Sequence, residues 1–370
     1  MKAVQFTTHG DRDVIEYTEV PTPDPDRDEA LVDVKAAALN HLDVWTRRGL
    51  PGLDLDLPHT PGSDMAGVVE AVGADVTRFE PGDRVALLAG VGSHGFDGDG
   101  ADGTSDGDDG SDGDDAGGGS ASPRRDDPTL TPGFHIIGEH TPGVHAEYAA
   151  VPAANLAPIP EGVEWDVAGS AALVFGTAWR MLTHRADVTP GEHVLVHGAS
   201  GGVGHAAVQI AAHAGCEVYA TASSPEKLDH AAACGADHTI DYTAESFPDR
   251  IAAMTDGRGV DVVVDHVGEA TYEGSLRSLR KGGRLVTCGA TTGGNPDADL
   301  RRVFWNQLSV IGSTMATPEQ AETVLDLVWD GTVEPRIRER LPMSDAARAH
   351  ELIEDREGFG KVVVIPDSEL

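Results

Sequence analysis

Two hydrophobic rhythms divide the chain. Over the first ninety or so residues, apolar or alternating runs at 3–6, 30–38, 67–72 and 84–88 are short and punctuated by proline and glycine, the pattern of a small irregular β-rich unit. From 156 to 315, strand-like runs at 193–198, 216–222, 237–241, 260–267, 283–289 and 308–314 alternate with stretches of helical periodicity. Six strands in βα order predict a doubly wound parallel sheet, an α/β fold. After Met315, a helical stretch at 319–329 and a last strand at 361–365 return the chain to the first unit. The expected organisation is a β-rich domain over 1–155, a doubly wound domain over 156–315 and a returning segment over 316–370.

Between 96 and 127 the pattern collapses into FDGDGADGTSDGDDGSDGDDAGGGSASPRRDD, with almost nothing to bury, so a disordered, solvated insertion is expected. Calcium is the competing reading. Asp97-Gly98-Asp99-Gly100-Ala101-Asp102 lacks the oxygen ligand at the fifth place and the glycine at the sixth that a calcium loop needs.

The most informative segment is His193-Val194-Leu195-Val196-His197-Gly198-Ala199-Ser200-Gly201-Gly202-Val203-Gly204, a strand that feeds a glycine-rich turn and opens a helix stopping near Gly215. A helix N-terminus offers free N–H groups and the positive end of a dipole, a seat for a pyrophosphate. Ala199, Ser200, Gly201, Gly202, Val203 and Gly204 are therefore dinucleotide-binding candidates, with Gly201 expected to make the tight turn and Gly202 and Gly204 to permit close approach. The end of the second strand reads Thr221-Ala222-Ser223-Ser224-Pro225-Glu226-Lys227, without the early carboxylate that receives the ribose 2′-hydroxyl of NAD. Ser223, Ser224 and Lys227 suit a 2′-phosphate, which favours NADPH. Glu226 argues the other way, and the serines also read as a helix N-cap. Val267, Gly268, Cys288, Gly289 and Ala290 lie at carboxyl ends of strands, where ligands bind in open α/β sheets. His266, just after the fourth strand, is a candidate acid beside the nicotinamide.

Charge changes the picture next. Sixty-two acidic residues against 27 basic ones set a formal net charge of -35, unlike a nucleic-acid or anionic-membrane surface, which needs clustered Lys and Arg. Such self-repulsion is relieved by concentrated salt, which points to a halophilic cytoplasm. No run is long enough to span a bilayer and the N-terminus lacks a signal-peptide core, so a soluble cytoplasmic protein is expected. Three scattered cysteines, Cys216, Cys234 and Cys288, exclude a disulfide framework or a four-thiolate metal site. His41, His59, His94, His140 and His145 match no metal-binding spacing and read as surface or satisfied histidines.

Asn40-His41-Leu42-Asp43, Pro61 to Val69, Phe79-Glu80-Pro81-Gly82-Asp83-Arg84-Val85, Gly198 to Gly204 and Phe359-Gly360-Lys361-Val362-Val363 together resemble the medium-chain dehydrogenase/reductase superfamily over nearly the whole length. The resemblance implies a Rossmann-type coenzyme domain and an irregular GroES-like catalytic domain. It departs at the metals. The catalytic zinc ligands of the family's alcohol dehydrogenases match Asn40, Ser63 and Val174, the hydroxyl that relays their alcohol proton matches Leu42, and the four-cysteine lobe of their structural zinc is replaced by the Asp/Gly run.

These vacancies, with Gly176-Thr177-Ala178-Trp179, make the chain similar to the zinc-independent quinone oxidoreductase branch. The resemblance implies hydride transfer from NADPH to a quinone or another activated carbonyl or enone, without zinc. It further implies that Asn40 lines the acceptor pocket, although Asn40 also reads as a helix cap, and that Asp64 lies beside it. Thr177, Gly312, Ser313 and Lys361 are implied near the cofactor. Lys227 and Tyr242 would close over a 2′-phosphate, with Tyr242 alternatively a strand-edge aromatic. A homodimer through the sixth strand and a small-molecule substrate complete the expectation. The alternatives are an alcohol or sugar dehydrogenase recruiting metal through His41 and Asp64, a reductase of enoyl thioesters, for which Tyr17, Tyr148 and Tyr219 are not obviously placed, and a catalytically weak NADPH-binding protein.

Overall fold

A computed structural model describes residues 1–50, 52–92, 127–356 and 358–370. The apolar runs after 190 become six parallel strands: His193–Val196, Glu217–Ala222, His238–Asp241, Val260–Val264, Leu279–Thr287 and Ser309–Gly312. Their spatial order is third, second, first, fourth, fifth, sixth. Val194–Val196 and Val262–Val264 are fully buried, as expected where helices cover both faces. The order reverses between the first and fourth strands, which opens a crevice at their carboxyl ends.

One boundary differs from expectation. The fifth strand starts at Leu279, not at 283, because Gly282 adopts a left-handed φ of 71° and the register slips between Val260 and Val262, so Arg280-Lys281-Gly282-Gly283 is an irregular strand rather than a turn.

The second sheet runs Ile337–Pro342, Lys361–Ile365, Glu29–Ala38, Met65–Val72, Arg84–Leu87, Leu156–Pro158, with Tyr148–Pro152 also on Glu29–Ala38. The returning strand thus lies in the middle of this sheet. Pro318–Trp329 instead packs with helix Trp165–Trp179 in the core under the parallel sheet, and pairing with the β-rich unit begins at Ile337. Trp165–Trp179 joins the two units: Ala168 packs on Ala66 and Ala86, while Phe175 and Ala178 sit in the other core. A Cβ at Gly169 would stand 2.6 Å from the Ala36 carbonyl oxygen, so only glycine allows that approach.

The Asp/Gly insertion lies outside the described residues except for its last member. Asp127 is not a solvated residue: it accepts from Thr129 N–H at 3.0 Å and pairs with the buried Arg180 at 2.5 Å, which lowers its pKa. No described helix is long and apolar enough to cross a membrane.

Candidate active site at the crevice

The glycine turn supplies the first wall. Gly198 has φ +58°, whereas Gly201 has φ −84° and a Cβ placed there would meet only the Gly198 oxygen at 3.5 Å, so Gly198 rather than Gly201 makes the left-handed turn. A Cβ on Gly204 would lie 2.1 Å from the same oxygen, which explains the third glycine as a helix-to-turn contact. No side chain caps helix Gly202–His213 at Gly201, leaving its first N–H groups for a ligand. Thr177, on helix Trp165–Trp179, is buried with an unpartnered Oγ1, and Ser313, just after the sixth strand, likewise carries a buried, unpartnered hydroxyl. The uncapped helix end fits a dinucleotide's pyrophosphate.

At the end of the second strand, Ser223 and Lys227 are brought together, Lys227 Nζ donating to Ser223 Oγ at 3.3 Å and to the Arg356 carbonyl at 2.7 Å. Tyr242 is half exposed and its N–H donates to the Ala222 carbonyl, beside the same strand end. Ser224 is different. Its hydroxyl accepts from Lys227 N–H and caps helix Pro225–Ala233, so it is spent on local structure.

The fourth and fifth strands supply the opposite rim. Asp265 accepts from the N–H groups of Val267 and Gly268 and from the hydroxyls of Thr271 and Ser275, holding the loop after the strand. His197 extends this buried network from Ser275 to Thr221, both at 3.0 Å. His266 lies against Gly198, its Nδ1 buried without a partner, and burial lowers its pKa, so it is a neutral imidazole rather than a ready acid at neutral pH. Ala290 packs against Gly268, and Gly289 faces Trp45 and His266. Burial pushes the Cys288 thiol up to about 12, which removes thiolate chemistry. Gly312 spends its carbonyl on Arg185 Nε at 2.8 Å.

The β-rich unit contributes side chains from three segments. Ala37 pairs with Met65 and Ala38 with Val363, so Asn40, Asp64 and Lys361 gather at one end of three adjacent strands. All three are buried. Lys361 Nζ donates to Asn40 Oδ1 at 2.6 Å and to Asp64 Oδ2 at 3.1 Å, and Asn40 Nδ2 donates to the same Asp64 oxygen at 3.0 Å. Asp64 Oδ1 accepts from Leu173 N–H at 2.9 Å. Lys361, which the resemblance implied near the cofactor, turns its ammonium toward the Asp64 charge, while its stem passes the glycine turn, where a Gly202 Cβ would meet Lys361 Cδ at 3.4 Å and Val174 Cγ1 at 2.8 Å. Asn40 caps helix His41–Arg48 by position, yet its side chain belongs to this cluster.

The pairing of His41 with Asp64 as metal ligands is not supported. Asp64 is committed to Lys361, whose ammonium lies 3.1 Å from its Oδ2. Among the described residues no three His, Cys, Asp or Glu side chains stand together in metal-holding geometry. Ser63 is buried and donates to the Ile137 carbonyl at 2.6 Å. Of the other histidines, His59 is satisfied by the Gly138 carbonyl and His140 accepts from Ile136 N–H, but His145 is neither exposed nor satisfied, since both ring nitrogens are buried without a partner. His94 lies outside the described residues. Tyr219 is stacked between His193 and His238, with its hydroxyl on His193.

The Phe359-Gly360-Lys361 motif makes contacts that the sequence did not reveal. Arg356 donates to the Thr291 carbonyl, Phe359 stacks on His230 and Gly360 N–H donates to the Ser200 carbonyl of the glycine turn at 3.0 Å.

A crevice with a pyrophosphate seat at its base and a buried polar cluster on its far wall defines a nicotinamide-dependent oxidoreductase architecture. Residues 26–161 match the family described as alcohol dehydrogenase GroES-like domain and residues 202–330 the zinc-binding dehydrogenase family. A quinone oxidoreductase of Pseudomonas aeruginosa is 30% identical over 99% of both chains, and a crotonyl-CoA carboxylase/reductase of Cereibacter sphaeroides 32% identical over 94% of this chain and 83% of its own. A solved structure of an NAD-dependent alcohol dehydrogenase superposes with a TM-score of 0.87 at 39% identity, covering 99% of each chain. The chain belongs to the medium-chain dehydrogenase/reductase superfamily. It is an NAD(P)H-dependent oxidoreductase.

Proposed function

We propose that the enzyme uses NADPH to reduce quinones or related activated carbonyl and enone acceptors, with no catalytic metal. The observation that carries this reading is the Lys361 ammonium bound to Asn40 and Asp64, beside the three positions that match the zinc ligands of the superfamily's alcohol dehydrogenases. Amide, spent hydroxyl and isopropyl groups at Asn40, Ser63 and Val174 do not fit zinc, and a fixed cation repels a second one. Alcohol oxidation needs an alkoxide stabilised as hydride leaves, a task this cluster lacks the charge to perform in zinc's place. Quinone reduction is less demanding, because the acceptor is already electrophilic.

The N–H groups at Gly202–Gly204 would hold the pyrophosphate, and Thr177 and Ser313 would bond nearby oxygens of the cofactor. Ser223, Lys227 and Tyr242 would receive a 2′-phosphate, which favours NADPH over NADH. The bound nicotinamide supplies the hydride. Asn40 would orient the acceptor oxygen. The edge strand Ser309–Gly312, with its exposed Val310 and with exposed Leu300, Phe304 and Trp305 on the preceding helix, supports a homodimer. The formal net charge of -35 supports function in concentrated salt.

The neighbour named NAD-dependent alcohol dehydrogenase favours a second reading, zinc-assisted alcohol oxidation. NADPH and NADH oxidation against quinones, enones and aldehydes, with and without chelator, separates the two. Chelator-insensitive quinone reduction preferring NADPH is expected. Near-stoichiometric zinc with chelator-sensitive alcohol oxidation overturns the proposal. Tight NADPH binding without turnover of any acceptor leaves a weak binding protein.

A further inference from the structure

We infer that Lys361 and Asp64 are positioning residues that lock the side-chain amide of Asn40 in one orientation, so that its second Nδ2–H is the hydrogen-bond donor to the acceptor's carbonyl oxygen. This deepens the reductase reading and rests on it. An asparagine amide is nearly symmetric in shape, and in most settings either face fits. Here the charges decide. The Lys361 ammonium stands 2.6 Å from Oδ1 and the Asp64 carboxylate 3.0 Å from Nδ2, and turning the amide over would set two donors against each other on one side and two acceptors on the other. The cluster is also closed on its third side, because Lys361 bonds Asp64 directly at 3.1 Å and Asp64 Oδ1 is anchored by Leu173 N–H. The carboxylate therefore cannot turn away without breaking a helix contact.

Two consequences follow for the amide. One of its two N–H donors is spent on Asp64, and among the described residues the other has no partner. The ammonium on Oδ1 withdraws electron density from the amide and strengthens that remaining donor, since charge-assisted chains polarise one another at low dielectric. Asn40 is 7% exposed while Lys361 and Asp64 are at 2% and 0%, so the amide is the member of the cluster that meets the crevice. Lys361 thus acts through Asn40, without touching the acceptor.

A double-mutant cycle tests this. Asn40→Leu should lower kcat for quinone reduction about 100-fold, the scale of losing one oxyanion donor. Lys361→Met should lower it to a similar extent, with the NADPH dissociation constant unchanged. Combining the two should lower kcat no further than Asn40→Leu alone. Additive losses overturn the inference, as does a Lys361→Met enzyme with normal kcat at saturation and weakened NADPH binding, which would make Lys361 a cofactor ligand. Asp64→Asn preserves volume and provides a second cycle should the methionine variant fail to fold: its loss of kcat must likewise vanish in the Asn40→Leu background, and persistence there overturns the inference. Equilibrium binding of 1,4-benzoquinone to the NADP⁺-saturated protein separates this result from the function itself. Absent wild-type turnover with non-additive effects on that binding defeats the reductase reading alone. Additive effects on binding defeat the lock, and no binding by wild type overturns both.

Discussion

The two walls of the crevice are built on opposite principles. The coenzyme wall is backbone: a turn at Gly198, an uncapped helix at Gly202 and glycines whose missing side chains make the room. The wall proposed to face the acceptor is side chain: Asn40, Asp64 and Lys361, drawn from three distant stretches and joined by charge. A backbone site rejects added atoms only where the chain approaches itself closely, as at Gly204, whereas the side-chain site keeps its shape only while its charges remain balanced.

The largest expected effect falls on the coenzyme wall. Gly204→Val drives carbon into the Gly198 carbonyl and should weaken NADPH binding more than 100-fold by fluorescence titration, while Gly201→Ala, in open space at an ordinary φ, stays within about threefold. Equal losses at the two glycines would mean that the turn is read wrongly.

The acceptor wall should respond in stability instead. Asp64→Ala leaves the buried Lys361 cation unpaired and should cost about 3–5 kcal/mol in urea unfolding, while Asp64→Ala with Lys361→Met should recover part of it. A double variant as unstable as the sum would show that the charges do not interact.

A third effect lies just behind the coenzyme turn. His205 is fully buried, its Nδ1 lies 3.3 Å from the Gly201 carbonyl and its Nε2 accepts from Arg336 N–H, an arrangement that needs the neutral ring. Its pKa is pushed down to about 4, chiefly by burial. With the unfolded value near 6.5, the unfolded chain binds the extra proton, so this contribution is intact above about pH 6.5 and is lost as pH falls toward 4, by roughly 3 kcal/mol in full. His205→Gln should flatten the stability slope between pH 7 and 5 relative to wild type, and an unchanged slope would assign it to other groups.

The smallest effect is expected at His266. As a buried neutral imidazole with no partner on Nδ1, it should be replaceable: His266→Asn is expected to change kcat by less than about threefold. A tenfold loss would restore it as the proton donor.

Legibility followed the same division. The turn at 198–204 was readable because backbone chemistry is written in consecutive residues, glycine by glycine, between a strand and a helix. Even there the tight turn expected at Gly201 carries its left-handed residue at Gly198, because spacing does not reveal which glycine bends. The hydroxyl of Ser224 and the ammonium of Lys361 were assigned to the cofactor by proximity in sequence or by resemblance. Each is taken by a closer partner, a helix N-terminus in one case and a buried carboxylate in the other. His145 reads as an ordinary histidine until its neighbours are known, and Gly360 meets the turn at Ser200 through a contact 160 residues apart in sequence.

What the sequence by itself determined was the parallel sheet and the glycine-rich turn between its first strand and helix, because hydrophobic period and glycine content are properties of local residue type; it was the family resemblance that set Asn40, Ser63 and Val174 at the positions of zinc ligands. Only the tertiary structure decided what occupies the place thereby left. Strand register carries residues 40, 64 and 361 to one end of a shared sheet, and burial there makes their mutual charge pairing stronger than any bond each could form alone.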